Sequence, residues 1–411
     1  MKPRVARTTD DQGAIGPMKN SKRDRGPTAA PARRTPRAVM EFPETKTVGI
    51  KEIAQAAGVS IGTVDRALHS RAGISVATRT RIVKMAEQLG YRPNLAARHL
   101  KLSRQRKISV HLPQEIASFF DALRAGIKDA AMWLQPPLEI DFHSYPSMGR
   151  GEVESISAVL DGPCDGVILA PSSPSKIGPM IHKATMRDIP VVCVATDAPG
   201  TERLTSISAD PFTSGAIVAE LLTRVRKGTG ETAIITGDLA TFDHSEKVRG
   251  FRSMLADLGS AISLIEVAET HDDYSEAYRQ TRQLLERHPT VSGIYVSTAN
   301  SLAVIKALEE NGRLGNVALV VTDLFPELLP QIRTGHVLAT LYQRPLTQGR
   351  MALEALHRFI VEGVRPKSVY KLPPYIVLRS NIELFIENSI VELDDHPSSA
   401  VMGTKVAQRK S

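Results

Sequence analysis

Residues 49–100 read GIKEIAQAAGVSIGTVDRALHSRAGISVATRTRIVKMAEQLGYRPNLAARHL. In IKEIAQAA the apolar Ile50, Ile53, Ala54 and Ala57 recur at helical spacing, which predicts a helix over 50–57 with one buried face. Gly58 then supplies a turn, because a residue without Cβ takes positive φ readily. Ser60 is placed to cap a second helix, its hydroxyl accepting from an exposed amide of the first turn. Val59, Val64 and Leu68 would give that helix its core contacts. Ile61, Gly62, Thr63, Asp65 and Arg66 would then lie on or near its outer face. A third helix, about Val76 to Leu89, would bury Ile82, Val83, Ala86 and Leu89 and expose Arg79, Arg81 and Lys84. A helix, a glycine turn and a short second helix form a helix-turn-helix.

Charge separates this stretch from the rest of the chain. The chain has 411 residues and a net charge of +8. Residues 1–104 hold 21 Lys/Arg against 8 Asp/Glu, whereas residues 105–411 hold 31 against 36. A basic block on a slightly acidic body points to a polyanion-binding part joined to a part with another task. Residues 1–46, rich in Pro, Arg, Thr and Gly, read as a disordered basic arm. Residues 390–411 read as a polar disordered tail. No window of about 18 apolar residues predicts a membrane span. The basic start lacks the apolar core of a secretory signal, so a cytoplasmic, nucleoid-associated protein is expected. The two cysteines, Cys164 and Cys193, sit in apolar runs and read as buried free thiols rather than a metal or redox pair.

The continuation GYRPN–LAARHL makes the pattern specific. The head resembles that of the LacI/GalR family of bacterial transcription regulators, whose form is IxxIAxxAGVSxxTVSRxLN…TRxRVxxxAxxLGYxPNxxAxxL. This chain matches it at IKEIAQAAGVS (50–60), TVDRAL (63–68), TRTRI (78–82) and LGYRPNLAARHL (89–100). Asp65 departs from it, since most members have serine there. A carboxylate beside DNA repels phosphate, so it would face cytosine N4 or turn away.

The resemblance implies a double-stranded, near-palindromic DNA operator as partner, read by a homodimer or tetramer. Arg66 sits where the family reads bases, and a guanidinium can bond guanine O6 and N7 together. Ile61 and Gly62 occupy base-selecting positions without a hydrogen-bonding side chain; Ile61 could touch a thymine methyl. Ser60, Thr63, Thr78 and Tyr91 suit phosphates, which position without specifying. The segment from Asn94 to Lys101 resembles the family's hinge helix, too short to be stable alone. It would order over the minor groove with Asn94 as its cap, Arg98 at the DNA, and Leu100 as a wedge between base steps.

From Lys107 short apolar runs alternate with helical stretches. The runs ISVHL (108–112), GVILA (166–170), VVCVA (191–195), AIITG (233–237), GIYVS (293–297) and VALVV (317–321) read as buried strands. Helices are expected around 120–134, 175–187, 213–226, 245–258, 274–287 and 301–311. Repeated βα units predict an α/β body of doubly wound parallel sheets, two rather than one at this length. Residues 107–385 resemble the type I periplasmic sugar-binding fold, two lobes with a ligand between them. The expected division is arm 1–46, head 47–93, hinge 94–104, effector-binding and dimerisation body 105–389, and tail 390–411.

In that fold the ligand lies near the carboxyl ends of strands. Phe119 and Phe120 match a pair that stacks on a sugar ring in the relatives, and Asp197 a carboxylate that accepts from sugar hydroxyls. Where relatives often place Arg next, this chain has Ala198. FDHSEKVRGF (242–251) would turn His244 and Ser245 to the cleft. Asn300 and Asp323 follow strands, and Gln343 lies in the crossover motif TLYQRP (340–345). These residues imply a neutral polyhydroxy effector, sugar or polyol, and neither cofactor nor metal. His271–Asp272–Asp273 reads as a turn, because consecutive side chains point apart. No P-loop, no GxGxxG after a strand, no CxxC pair and no HExxH argues for an enzyme.

Overall fold

A computed structural model describes residues 49–68, 73–89 and 105–387. The head contains α1 (Ile50–Ala57), α2 (Ile61–Leu68) and α3 (Val76–Gln88). Among the described residues no helix is long and apolar enough to cross a membrane.

The body is built from two six-stranded sheets. The first lobe begins with β1 (Arg106–Pro113), α4 (Ala117–Trp133), β2 (Leu138–Tyr145), α5 (Glu152–Leu160), β3 (Gly166–Leu169), α6 (Pro174–Thr185), β4 (Val191–Val194) and β5 (Thr205–Ala209). The chain then crosses through α7 (Pro211–Val225) into a second lobe. This holds β6 (Thr229–Thr236), α8 (Phe242–Asp257), β7 (Ala261–Glu269), α9 (Tyr274–Arg287), β8 (Val291–Val296), α10 (Ser301–Glu310), β9 (Ala318–Thr322), a 3-10 turn at Pro326–Leu328, α11 (Leu329–Thr334) and β10 (Ala339–Tyr342). It returns through α12 (Pro345–Glu362) to β11 (Val369–Leu372) and crosses again to β12 (Tyr375–Val377) and α13 (Ile382–Glu387). The strand orders are β11-β5-β4-β3-β1-β2 and β12-β10-β9-β8-β6-β7, all pairings parallel except β12 on β10.

Parallel strands need cover on both faces, and each lobe has it. In the first lobe α4 and α12 cover one face and α5 and α6 the other; in the second, α7 and α8 oppose α9 and α10. Thus α7 packs on the second lobe while following a first-lobe strand, and α12 does the converse. The three crossings run side by side. Lys371 Nζ lies 3.2 Å from Asp210 Oδ1, and the Arg344 guanidinium sits 4.6 Å over the Tyr375 ring.

All six predicted strands and six predicted helices of the body are present, with ends shifted by a few residues. Edge strands β2 and β7 and the polar strand β5 (TSISA) lack the apolar run that marks a buried strand in sequence. Cys193 is fully buried as expected, but Cys164 is only half-buried.

One buried group makes the body's stability depend on pH. His111 on β1 has no exposed surface, bonds Ser109 Oγ and Ser155 Oγ through its two ring nitrogens at 2.8 Å, and stacks on His143 at 4.8 Å. Burial, then the neighbouring His143, lowers it from 6.5 to about 3. The unfolded chain therefore takes the proton first, and stability falls as pH drops from 6.5 toward 3. Unfolding in urea should show about 2 kcal/mol less stability from this group at pH 5 than at pH 7. His111→Gln should flatten that slope; an unchanged slope would assign it elsewhere.

Candidate functional site

The head's packing decides which side chains are free to meet a partner. Ile53, Val64 and Ile82, one from each helix, are fully buried, with Ala54, Ala57, Ala67 and Ala86 around them. Gly58 takes the left-handed conformation, φ 63°, that turns α1 into α2. Ser60 Oγ accepts from the Thr63 amide at 3.2 Å and lies 2.8 Å from the Thr63 hydroxyl. Ser75 and Thr78 repeat this device at the start of α3, at 3.1 and 2.8 Å. Ser60, Ile61, Gly62 and Arg66 are exposed, and Thr63, Asp65 and Thr78 are half-buried. Three expectations fail: Val83 and Leu89 are exposed rather than buried, and Arg79 is half-buried rather than exposed. Successive residues turn by about 100° on a helix, so only the Ile82–Ala86 stripe of α3 reaches the core. Arg81 and Lys84 are exposed as expected, and the Arg81 guanidinium also donates to the Ala57 carbonyl at 3.1 Å. Tyr91, Asn94, Arg98 and Leu100 lie outside the described residues.

In the body, the carboxyl ends of both sheets face a cleft enclosing about 480 Å³, its open mouth included. The first lobe contributes Ile116, Phe119, Phe120, Met148, Ala195 and Thr196. Its two phenyl rings meet edge to face at 5.1 Å. The second lobe contributes Thr241, Asp243, His244, Lys247, Asp272, the Ser297–Ala299 segment and Asp323, and the crossing adds Gln343. One wall is thus apolar and aromatic, the other dense in donors and acceptors.

Lys247 is 1% exposed, sits 2.6 Å from Asp243 Oδ2 and donates to the Ser297 carbonyl at 3.2 Å. Burial alone would lower its pKa; the Asp243 carboxylate reverses this and leaves it above the ordinary lysine value. Asp323 accepts from Gln343 Nε2 at 2.9 Å, and burial pushes its carboxyl up to about 6. The Gln343 carbonyl accepts from Gln348 Nε2 at 2.8 Å, and Gln348 Oε1 accepts from the Ala195 amide at 3.0 Å. A hydrogen-bond chain therefore runs from the second lobe through the crossing to the first. The Asp243 amide also donates to Thr196 Oγ1 across the cleft at 3.2 Å.

Phe119, Phe120, His244, Asp323 and Gln343 line the cleft as predicted, and three other residues do not. Asp197 is held by Arg203, whose Nη2 lies 2.6 Å from Oδ2 and whose Nε bonds Oδ1. Its carboxylate is therefore already matched by a fork of donors, and the preceding Ala195 and Thr196 form the wall. Ser245 donates to the Phe242 carbonyl at 3.0 Å; one step along α8 from His244 turns it away from the cleft. Asn300 stands where the chain enters α10, and Ser297, Thr298 and Ala299 form the wall before it. The turn expected at 271–273 is present, but one of its residues does more than turn the chain. Asp273 caps α9 by accepting from the Glu276 amide at 2.7 Å, while Asp272 lines the cleft.

Backbone geometry marks the same place. Ile116, Ala195, Asp272 and Asp323 all line the cleft with φ between 55° and 70°. Non-glycine residues rarely adopt such angles, least of all a β-branched one, and strain of this kind collects at functional sites. Nothing in residue type or spacing discloses it. Gly237 adds a packing constraint: a Cβ there would stand 2.4 Å from His244 Nε2 and 2.9 Å from Asp272 Oδ2.

Comparison with known proteins extends these observations. The periplasmic binding protein domain model matches residues 108–363, and the model for bacterial regulatory proteins, lacI family, matches residues 49–94. Catabolite control protein A of Priestia megaterium is 24% identical over 342 residues, spanning 81% of this chain and 99% of that protein. The ribose operon repressor of Halalkalibacterium halodurans is 23% identical over 336 residues, spanning 80% and 96%. A solved solute-binding protein of an ABC transporter from Burkholderia graminis, in complex with D-arabinose, superposes with a TM-score of 0.63 at 25% identity. That match covers 67% of this chain and 96% of the other.

Proposed function

Because the chain belongs to the LacI family of bacterial regulatory proteins, with a periplasmic binding protein domain as its body, we propose that it is a cytoplasmic, homodimeric repressor released or engaged by a sugar-like effector. The observation that carries the reading is the union, in one chain, of an exposed recognition helix and a two-lobed cleft with an aromatic wall and a polar wall.

Two heads would bind the half-sites of a near-palindrome, in keeping with the dimer's twofold axis. Arg66 would read a guanine, Ile61 and Gly62 would pass close to base edges, and Ser60, Thr63 and Thr78 would hold phosphates at the two capped helix starts. Tyr91, Asn94, Arg98 and Leu100 keep the roles that their match to the family implies. The relative named for ribose and the structure bound to arabinose support a small polyhydroxy effector. It would stack on Phe119 and Phe120 and bond His244, Asp323 and Gln343, joined by Thr196, Asp243 and Asp272. An effector shifts operator affinity only through its differential affinity for two arrangements of the lobes. The chain from Asp323 through Gln343 and Gln348 to Ala195 couples the cleft to that arrangement.

The test uses an operator selected from a random DNA pool. Arg66→Ala should weaken its binding by about 1–3 kcal/mol and relax the choice at one base pair. An equal loss on every sequence would make Arg66 a phosphate contact. Absence of any selected sequence would remove the regulator reading.

A further inference from the structure

The cleft holds more buried negative charge than its cations answer. Asp243 and Asp272 are 7% and 6% exposed, and each has an Oδ1 atom with no hydrogen-bond partner. His244, 9% exposed between them, places Nδ1 3.9 Å from Asp243 Oδ2 and Nε2 3.7 Å from Asp272 Oδ2, and its Nδ1 makes no hydrogen bond. Among the described residues the one other basic side chain on the cleft wall, Lys247, is already engaged by Asp243 Oδ2 and the Ser297 carbonyl. Among the same residues no arginine lines the cleft.

We propose that the effector is a polyol bearing an ammonium group, an amino sugar or an aminocyclitol, and not a sugar acid or sugar phosphate. This rests on the sugar-like reading of the cleft and adds the ligand's charge. A buried carboxylate oxygen must be met by donors, and a charged donor meets it more strongly than a hydroxyl. The orphaned oxygens of Asp243 and Asp272 are such acceptors, and with Asp323 on the same wall they favour a cation over an anion in the cleft. Phe119 and Phe120 line the same cleft, and aromatic rings favour a cationic ligand over an anionic one. A bare metal ion does not fit, because among the described residues no three His, Cys, Asp or Glu side chains converge to hold one.

The mouth of the cleft repeats the pattern. Glu115 of the first lobe, next to the cleft-lining Ile116, has its carboxyl raised by burial and then by Asp272 and Asp273 of the second, with Arg150 acting in the opposite direction. Carboxylates of the two lobes thus act on one another here, and an anion held between the lobes would add to that repulsion. Closure over an ammonium relieves the repulsion instead.

The test is isothermal titration calorimetry on the full chain with matched sets: D-glucosamine, D-glucose and D-glucose 6-phosphate; D-galactosamine, D-galactose and D-galacturonate; and an aminocyclitol with myo-inositol. At least one amine should bind about tenfold or more tighter than its hydroxyl counterpart, and the acids and phosphate should not bind. For that amine, Asp272→Asn keeps an acceptor but removes the charge and should erase most of the advantage, with the hydroxyl counterpart changing little. A neutral or anionic member that binds as tightly as its amine overturns the charge assignment while leaving the sugar-effector reading standing. If neutral members bind and no amine does, the charge assignment falls in the same way. If no polyol of any charge binds, both fall.

Discussion

Lys247→Met is expected to lower the stability of the body by about 3–5 kcal/mol at pH 7. The lysine is the buried partner of Asp243 at 2.6 Å and the donor to the Ser297 carbonyl. Methionine fills a similar volume, so the loss comes from charge and not from a cavity. It leaves the Asp243 carboxylate buried beside Asp272 and Asp323 without the ammonium that stabilises it. Breaking one half of a buried pair costs far more than the pair contributes, because desolvation has already been suffered by both ions.

That asymmetry supplies the control. Lys247→Met combined with Asp243→Leu should recover most of the loss, since apolar replacement of a whole buried pair is often close to neutral. Urea unfolding of wild type, Lys247→Met and the double variant at pH 7 measures this. A single variant no less stable than the double one would mean that Lys247 does not hold Asp243 in the charged state.

The parts of this molecule that are legible in the sequence are those whose causes are local. The head reads correctly because Gly58, Ser60 and the Ile53–Val64–Ile82 core act within a turn or two of one another. Central strands read correctly because burial on both faces forces an apolar run, as in Gly166–Leu169 and Val191–Val194. Edge strand β2 alternates polar and apolar residues, and β5 buries Ser and Thr, so neither carries that signal. The cleft is half legible. Residue type places Phe119, Phe120, His244, Asp323 and Gln343 there, whereas Asp197 misleads because its partner Arg203 lies in the next loop. Asp243 and Lys247 escape notice because the i, i+4 pair looks like an ordinary surface pair until its burial is known.

The second large effect concerns the helix that carries those two residues. A Cβ on Gly215 of α7 would lie 1.8 Å from the backbone oxygen of Lys247, and one on Gly250 of α8 would lie 2.0 Å from that of Phe212. The first lobe repeats the contact between α4 and α12, at 2.0 Å for Gly126 and 2.1 Å for Gly349. Gly215→Ala should therefore destabilise the body by about 3 kcal/mol, at the upper end of overpacking costs, because a backbone carbonyl cannot rotate aside. Alanine's helix propensity favours the opposite outcome by only about 1 kcal/mol, so the clash wins. Gly178 in α6 isolates that smaller term. Beyond its chain neighbours the nearest atom would be the Thr201 methyl at 3.6 Å, an ordinary contact, and Pro179 after it offsets part of alanine's helix preference, so Gly178→Ala should change stability by less than about 1 kcal/mol. A large fall in denaturant midpoint for Gly215→Ala beside a small shift for Gly178→Ala would establish that α7 and α8 touch backbone to backbone. A stabilising Gly215→Ala would mean that the helices stand further apart. The consequence reaches the site, because any relief of the clash must displace α8 and with it Asp243, His244 and Lys247, so Gly215→Ala should also weaken effector binding while Gly178→Ala leaves it unchanged.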